Sequence, residues 1–315
     1  MPEENGISIL IPTYNRVCVE LVKELHRQTS TLDEMPCEII VADDASTDKE
    51  TVEDNRSIGS LEGCRFLERL NNVGRARIRN FLVREARYRW VLFIDSGMRV
   101  RSHTFLTTYL DMLRKLPQQE NRMLVLYGGY SIAHAREANP GQPLDYNLRY
   151  QFESKSPQNG NAALRQRHPY RDFHTSNFLA SKITLLRYPF DERFLRYGYE
   201  DVLWGITLEK VGVPIHHVDN PVSFEKYETN RAFLEKTEEG LCTLHQFREE
   251  LGAGSRLVAM AERLKWTGVA YPLVRWTYSL ASLHIKARLT GGKPSLFLFN
   301  VYKLIYYIHL DFQSR

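Results

Sequence analysis

Three acidic residues stand directly behind apolar segments, at positions where an α/β protein binds its ligands. Asp95 follows the apolar run Trp90-Val-Leu-Phe-Ile, and Asp43 and Asp44 follow the run Ile39-Ile-Val-Ala. A short apolar run with turn residues behind it is typical of a buried parallel strand. Because ligands of open α/β sheets bind beyond the carboxyl ends of the strands, these carboxylates are predicted to face a functional edge. Asp95 also has an ordinary alternative role, as the cap of the turn that follows.

The paired acids Asp43 and Asp44 favour a ligand at this edge, because adjacent carboxylates repel unless a ligand or cation intervenes. A nucleotide base or ribose would supply hydrogen-bond donors to one of them. The nearby segment Gly74-Arg-Ala-Arg-Ile-Arg-Asn carries arginines at the start of a predicted helix. Guanidinium groups at a helix N-terminus suit phosphate, and a solvated basic face is the alternative interpretation of this segment.

A further acidic pair, Glu200 and Asp201, follows Tyr-Gly-Tyr and opens a predicted helix. One interpretation makes Asp201 the helix N-cap, which is a common role for aspartate. The other makes it a general base beside a glycine-containing loop, within hydrogen-bond reach of a substrate hydroxyl. The residues alone leave both interpretations open.

An alternation of strands and helices positions these residues. The predicted strands cover residues 7–12, 37–44, 64–67, 90–95 and 123–127. The predicted helices cover residues 17–29, a segment that begins after Asp48, residues 74–86 and residues 104–116, the last capped by Ser102. Such alternation predicts an α/β fold with a doubly wound, mostly parallel sheet. The loops of this sheet are expected to bring Tyr14, the acids and the arginines after Gly74 to one edge.

Residues 130–172 interrupt the alternation, since they are rich in Asn, Gln, Pro, Arg and Tyr and show no sustained period. Insertions of this length in a compact domain are usually functional or disordered. Beyond the insertion we predict strands at 173–180 and 215–218 and helices at 182–187, 201–211 and 230–251. The chain is therefore predicted to hold one domain over residues 1–250 and a basic, aromatic, helical C-terminal extension over residues 251–315.

The length and charge of the chain indicate a globular protein with a basic C-terminal segment. With 315 residues and 43% hydrophobic content, the chain can bury a large core. Its net charge is +4, but the segment from Gly254 onward holds nine Lys and Arg residues against two acids. This local charge of +7 leaves −3 for residues 1–253. The asymmetry makes an anionic phospholipid surface the first candidate partner of the tail.

Cysteine usage and the absence of an export signal favour the cytoplasm. The four cysteines have no metal-like or paired spacing, which suits buried thiols in a reducing compartment. The first residues, Met-Pro-Glu-Glu-Asn-Gly, have neither a basic nor an apolar region that would direct export. The longest apolar stretch, Leu296–Leu310, is interrupted by polar residues and is short for a membrane-spanning helix.

Five motifs in order resemble glycosyltransferase family 2 of the GT-A fold. They are Ile11-Pro-Thr-Tyr-Asn-Arg16, Val41-Ala-Asp-Asp-Ala-Ser-Thr-Asp48, Asn72-Val-Gly-Arg-Ala-Arg-Ile-Arg-Asn80, Phe93-Ile-Asp-Ser-Gly97 and Gly198-Tyr-Glu-Asp201. Each motif alone is a weak signal, whereas five in order are a strong one. The resemblance covers residues 7 to about 250. Three further segments are similar to Bacteroidetes members that build surface polysaccharide: Tyr197-Gly-Tyr-Glu-Asp201, Val218-Asp-Asn-Pro-Val222 and Val301-Tyr-Lys-Leu-Ile-Tyr-Tyr307.

The resemblance implies an inverting transfer of a sugar from a nucleotide-diphosphate donor, UDP-linked, to a hydroxyl group of a polysaccharide or lipid-linked acceptor. It implies that Asp201 is the general base, with Glu200 beside it at the catalytic site. The residues that it implies for nucleotide binding are Pro12, Tyr14, Arg16, Asp44, Arg75, Arg79, Asp95 and Ser96.

The resemblance also implies a divalent cation, Mg²⁺ or Mn²⁺, that bridges the donor diphosphate. Asp95 is the first residue of the family's Asp-x-Asp metal motif, but the third position is Gly97. Phe224 stands where family members often carry a histidine. His216 or His217 could substitute as ligands, although their strand context favours buried core histidines. We therefore expect donor binding to depend little on a metal, with the diphosphate charge carried by arginines, namely Arg75, Arg79 and Arg99.

The leading interpretation is a cytoplasmic glycosyltransferase of polysaccharide and cell-envelope assembly, peripheral to the inner face of the membrane. The altered metal positions favour an alternative, a weakly active or inactive nucleotide-sugar-binding protein or partner subunit. A sugar-phosphate nucleotidyltransferase would need a glycine-rich basic loop after its first strand, and Pro12-Thr-Tyr-Asn-Arg16 has no glycine. A nucleic-acid partner is not expected, because acids line the strand ends.

Overall fold

A computed structural model of the chain describes residues 4–32, 35–116, 122–156, 161–266 and 270–313. The chain divides into two units. The first consists of Met1–Ala138, Pro157–Leu195 and Glu200–Lys226, and the second of Asn139–Ser156, Arg196–Tyr199 and Tyr227–Arg315. The boundary predicted at residue 250 therefore falls inside the second unit.

A central β-sheet with the strand order β3-β2-β1-β4-β8-β6-β9 forms the middle of the first unit. The strands of the described residues are β1 (Glu4–Thr13), β2 (Cys37–Asp43), β3 (Cys64–Glu68), β4 (Tyr88–Ile94), β5 (Met98–Arg99), β6 (Val125–Tyr127), β7 (Tyr130–Ser131), β8 (Asn177–Ser181), β9 (Ile215–His217) and β10 (Val222–Phe224). Strands β1 to β4 run parallel to one another, and β6 runs parallel to β9. Strand β8 is antiparallel to both β4 and β6. The prediction of a mostly parallel α/β sheet is confirmed.

The apolar runs explain the central strands, because both faces of this sheet are covered. Residues Ile39 to Ala42 of β2 and Val91 to Ile94 of β4 are almost completely buried. Such strands read as continuous apolar runs and not as alternating ones. Strand β8 begins at Asn177, later than predicted, and residues 173–176 precede it. The carbonyl oxygen of Ser176 accepts the N–H of Asp95 at 3.1 Å, next to the Ile94–Asn177 pair of β4 and β8.

Helices follow most strands at the predicted positions, but the single helix predicted at 230–251 is divided at Phe247, and the three short helices within residues 130–172 were not predicted. They are α1 (Val19–Thr29), α2 (Lys49–Arg56), α3 (Arg75–Glu85), α4 (Phe105–Lys115), α5 (Ala135–Ala138), α6 (Leu148–Ser154), α7 (Ala162–Arg165), α8 (Lys182–Arg187), α9 (Glu200–Val211), α10 (Asn230–Gln246), α11 (Arg248–Leu251), α12 (Arg256–Trp266), α13 (Ala270–Thr290) and α14 (Leu296–Gln313). Asp48 caps α2 by accepting the N–H groups of Glu50 and Thr51, as predicted. The predicted cap of α4 is wrong, because Thr104 occupies the N-cap and the Ser102 hydroxyl bonds to the N–H and the hydroxyl of Thr104.

A glycine is required at the start of α3. Gly74 is the N-cap residue and has a φ of 85°, which L-residues with a side chain rarely adopt. A Cβ atom at this position would also lie 3.2 Å from the carbonyl oxygen of Leu195. A side chain at this position would therefore strain the turn from the β3 loop into α3.

A small second sheet has the strand order β5-β10-β7. Its strand β5 follows β4 in the sequence. Strand β10 is antiparallel to β5, with Phe224 opposite Met98, and parallel to β7. These short strands do not lie in continuous apolar runs, and the sequence pattern predicts none of them. The carbonyl oxygen of Gly97, two residues after Asp95, accepts the N–H of Glu225 at 3.0 Å. This hydrogen bond joins the segment before β5 to the segment after β10.

The second unit is helical where the structure describes it. The predicted helical extension is confirmed as α12, α13 and α14, and the unit also contains α6, α10 and α11. Its core packs Leu234 of α10 and Leu289 of α13 against Phe299 and Tyr302 of α14. Part of the insertion, residues 139–156, belongs to this unit, and residues 157–160 of the insertion lie outside the described ranges. Within those ranges, no helix has the length and apolar character needed to cross a bilayer.

Candidate active site

The paired acids at the end of β2 serve two different loops. The Asp44 carboxylate accepts the N–H groups of Val73 and Gly74, each at 2.9 Å, and thereby holds the N-terminus of α3. Burial raises the pKa of Asp44, while these two donors oppose the rise. Asp43 instead accepts the N–H and the hydroxyl of Ser46. Each acid thus has a structural partner within the chain, and the nucleotide contact of Asp44 stays a prediction.

The loop after β1 is held against the loop after β2. Asn15, with a φ of 48°, accepts the N–H groups of Thr47 and Asp48 at 2.8 and 3.0 Å. The carbonyl oxygen of Arg16 accepts hydrogen bonds from the Thr13 hydroxyl and the Asn55 amide, both at 2.9 Å. The backbone of the predicted nucleotide loop is therefore fixed.

The side chains of this loop differ in exposure. Tyr14 is exposed, at 48% of its surface, while Pro12 and Arg16 are half-buried. An exposed tyrosine ring on a fixed backbone presents a flat apolar face and a hydroxyl to a ligand. This geometry is compatible with the nucleotide contacts predicted for Pro12 and Tyr14.

Arg79 joins two of the predicted site carboxylates. Its guanidinium is 1% exposed and donates to Asp95 at 2.9 Å and to Glu200 at 3.2 Å. Glu200 is also buried, and Arg75 lies 3.9 Å from the same carboxylate oxygen. Buried charges need partners of opposite sign, and this arrangement provides them. The guanidinium that was predicted to contact the donor phosphates is thus buried between two acids, and the half-exposed Arg75 lies beside it.

Asp201 lies in the first turn of α9 and not at its N-cap, because the helix begins at Glu200. Its carboxylate is 2.9 Å from Nδ1 of His174 and accepts the N–H of Val202 at 2.8 Å. Burial alone would raise the pKa of Asp201, but the hydrogen bond and charge of His174, the Val202 N–H and the charge of Arg79 lower it below its ordinary value. Asp201 is therefore ionised at neutral pH and able to accept a proton.

His174 is the site residue that the sequence interpretation missed. The segment Phe173-His-Thr-Ser-Asn177 was assigned to a buried strand, in which His174 had no separate role. The polar residues between Phe173 and Asn177 were the available signal, because a strand buried on both faces is apolar throughout. In the structure, His174 stands before β8 with its side chain 38% exposed.

The residues around Asp95 do not fit a divalent cation held by three protein ligands. Gly97 has no side chain, and Phe224 is a buried ring that packs on Tyr130 at 5.2 Å. The Asp95 carboxylate already accepts a hydrogen bond from Arg79. Among the described residues, no group of three His, Cys, Asp or Glu side chains is arranged to hold a metal. Asp95 is thus a single carboxylate with one cationic partner.

His217 does not supply a replacement ligand. It is buried, and its ring bonds to the carbonyl oxygen of Pro169 at 2.9 Å and to Nε of Arg165 at 3.3 Å. Burial lowers the pKa of His217 to about 4, so the ring is neutral at physiological pH. The interpretation of His217 as a buried core histidine is confirmed.

A cavity of about 610 Å³ opens elsewhere in the first unit, between α3, α8 and α9. Its lining includes Asn80, Phe190 and Trp204, and none of the predicted site residues lines it. We therefore assign the chemistry to the strand-end cluster, which is the group of residues around Asp95 at the end of β4, and not to this cavity.

Comparison with protein families supports the motif resemblance. Residues 8–117 match the family model "Glycosyl transferase family 2", which confirms the resemblance over that part of the chain. The chain is also 26% identical over 264 residues to chondroitin synthase of Escherichia coli. That alignment covers 72% of this chain but only 36% of the relative, so the chain spans about a third of the length of that protein.

Solved structures share the fold. S. aureus TarS 1–349 superposes with a TM-score of 0.50 and 15% identity, covering 98% of this chain and 91% of that one. The mannosyltransferase PcManGT from Pyrobaculum calidifontis, solved in complex with GDP-Man and Mn²⁺, superposes with a TM-score of 0.52 and 14% identity. That superposition covers 98% of this chain and 86% of PcManGT. At such low identity the likeness shows the GT-A fold alone.

Proposed function

We propose that this chain is a family 2 glycosyltransferase that moves a sugar from a nucleoside-diphosphate donor to a hydroxyl group of a glycan or lipid-linked acceptor. The family match over residues 8–117 supports the transferase class. The shared fold supports it further, since S. aureus TarS 1–349 has been solved with UDP-GlcNAc and PcManGT with GDP-Man. A UDP-linked donor is our first choice.

The observation that carries the proposal is the chain of contacts from Asp95 through Arg79 to Glu200, directly beside Asp201. These contacts connect the carboxyl end of β4 to the first turn of α9. The carboxyl ends of the strands are where an α/β protein binds its ligand. A carboxylate that is ionised at neutral pH in that turn can accept a proton, as a general base must. The residues proposed for the nucleotide are Pro12, Tyr14, Arg16, Asp44, Arg75, Asp95 and Ser96.

The proposed reaction is a single displacement with inversion. Asp201 accepts the proton of the acceptor hydroxyl, and the acceptor oxygen forms a bond to the anomeric carbon of the donor sugar. The bond from that carbon to the diphosphate oxygen breaks on the opposite face, and the nucleoside diphosphate leaves with the bonding electrons. His174 keeps the Asp201 carboxylate oriented through Nδ1, which must carry a proton to donate to an ionised acid.

A panel experiment tests this function. The full chain is incubated with UDP-sugars and GDP-sugars, and binding and sugar transfer to saccharide acceptors are measured for each. We expect one donor class to bind and to transfer, with a product of opposite anomeric configuration by NMR. Retention of configuration, or transfer from no member of the panel together with no binding, would refute the proposal.

The altered metal positions support a second candidate, a nucleotide-sugar-binding protein with little or no transferase activity. Gly97 and Phe224 lack the oxygen and nitrogen ligands that the family resemblance implies. The same panel separates the two candidates, because this alternative binds a donor and yet transfers no sugar.

We further propose that the protein works at the inner face of the cytoplasmic membrane, in polysaccharide assembly. The net charge of +7 from Gly254 onward supports attraction to anionic lipid. Two apolar side chains of this segment, Leu283 and Phe297, are 77% and 78% exposed. Exposed apolar groups beside basic ones are the composition of an interfacial membrane contact.

A further inference from the structure

Arg16 and Gly97 are neighbours at the strand-end cluster. A Cβ atom on Gly97 would lie 3.7 Å from Nε and 3.9 Å from Cζ of the Arg16 guanidinium. The third position of the Asp-x-Asp motif therefore has a guanidinium next to it, at the point where a carboxylate would otherwise stand. No local sequence pattern predicts this contact, since the two residues belong to different loops.

Arg16 has a fixed backbone and a guanidinium charge that pairs with no carboxylate of the described residues. Its backbone is fixed through the Thr13 hydroxyl and the Asn55 amide. Among the described residues, no carboxylate forms an ion pair with it. By contrast, Arg99 lies 3.6 Å from Glu225, and Arg79 is buried between two acids. Arg16 is thus the cation at Gly97 that remains available for an anionic ligand.

We propose that the Arg16 guanidinium binds the donor diphosphate directly, in the place where the family resemblance implies a divalent cation. The proposal rests on the proposed function, because it assigns a role toward the same donor. It accounts for Gly97 in physical terms, since an aspartate there would pair with Arg16 and withdraw its charge from the ligand. It also accounts for a neighbourhood that lacks three metal-ligating side chains.

The chemistry of guanidinium suits this role. Arginine is always charged, and its planar fork donates two parallel hydrogen bonds to phosphate oxygens. A cation fixed at the diphosphate also stabilises the negative charge that develops as the glycosidic bond breaks. Arg75, 45% exposed in its side chain, is placed to add a second positive charge on the side of α3.

The test is a binding titration of UDP and GDP into the full chain, once in EDTA and once in millimolar MnCl₂. For the wild type we expect Kd values in the two buffers to agree within about threefold. Arg16→Ala should raise Kd in EDTA by about ten- to a hundredfold, the usual effect of losing charge-assisted hydrogen bonds. Arg16→Lys should lie between the two. Arg114→Ala, an exposed arginine of α4 paired with Asp111, is the matched control and should leave Kd unchanged.

Gly97→Asp gives an independent readout. The backbone at this position tolerates a side chain, because the added Cβ meets Arg16 at ordinary contact distance. We expect this variant to bind UDP or GDP at least tenfold more weakly in EDTA and to regain affinity with Mn²⁺. Wild-type binding that requires Mn²⁺, or unchanged affinity of Arg16→Ala in EDTA, would overturn the inference while leaving the proposed function standing. A wild type that binds neither nucleotide in either buffer would overturn both.

Discussion

Replacing Arg79 with methionine removes a buried cation that two carboxylates share. The Arg79 guanidinium is 1% exposed and lies 2.9 Å from Asp95 and 3.2 Å from Glu200. The Asp95 side chain is 29% exposed and can be hydrated in the variant. Glu200 is only 4% exposed, and its remaining cation is Arg75 at 3.9 Å. The cost of the substitution therefore falls mainly on Glu200.

The expected loss follows from these burials. Removing one partner of a buried ion pair costs about 3–5 kcal/mol, because a buried charge is left without compensation. Arg75 offsets part of this penalty, so we expect Arg79→Met to lower the free energy of unfolding by about 3 kcal/mol. Urea unfolding followed by circular dichroism measures it. Arg114→Met, which breaks an exposed pair on α4, should cost less than about 0.5 kcal/mol.

A double substitution separates the ion pair from simple packing. Adding Glu200→Gln to Arg79→Met neutralises the orphaned acid and should recover part of the lost stability, with a coupling energy of at least about 1 kcal/mol. A loss in Arg79→Met no larger than that of the Arg114→Met control would refute the buried Arg79–Glu200 pair. Additive effects of the two substitutions would refute it as well.

Two further predictions concern pH and lipid. His174→Phe removes the hydrogen-bond donor that lowers the pKa of Asp201, so the acid limb of the pH profile of kcat/KM should move to higher pH. The control His103→Phe changes an exposed histidine and should leave the limb in place. An unmoved limb in His174→Phe would contradict the prediction. The full chain should co-sediment with anionic vesicles at low salt and be released by high salt, at about 1 kcal/mol per basic residue near the surface. Equal sedimentation with neutral vesicles would show that the charge of the tail is not responsible.

The central sheet could be predicted because its strands are visible in the local sequence as apolar runs. Buried runs such as Trp90–Ile94 need no partner to be recognised, and the Gly and Asp residues behind them mark the turns. The sequence pattern predicts none of the strands β5, β7 and β10, because these two- and three-residue strands do not lie in continuous apolar runs. The antiparallel pairing of β8 with β4 joins residues more than 80 positions apart, and no local pattern carries that information.

The sequence allows candidate site residues to be named, but it does not show which of them are in contact. Asp95 and Asp201 could be identified because each lies at the end or the start of an element. The Arg79–Glu200 contact joins residues 121 positions apart, and no local pattern carries that information. The family resemblance implies that Arg79 lies near the donor ribose or phosphates, which stays a prediction; in the structure, α3 turns this residue toward the interior, together with Ile78 and Leu82.

The most direct test of the account is sugar transfer by Asp201→Asn, measured together with the affinity for the donor nucleotide. The amide keeps an acceptor oxygen for His174 but cannot take up the acceptor proton, so transfer should fall by about 10²- to 10⁴-fold. Donor affinity should stay within about twofold, and Asp111→Asn on the exposed face of α4 should behave as wild type. Wild-type turnover in Asp201→Asn would contradict the assignment of the base, and a parallel loss of donor binding would assign Asp201 to structure instead.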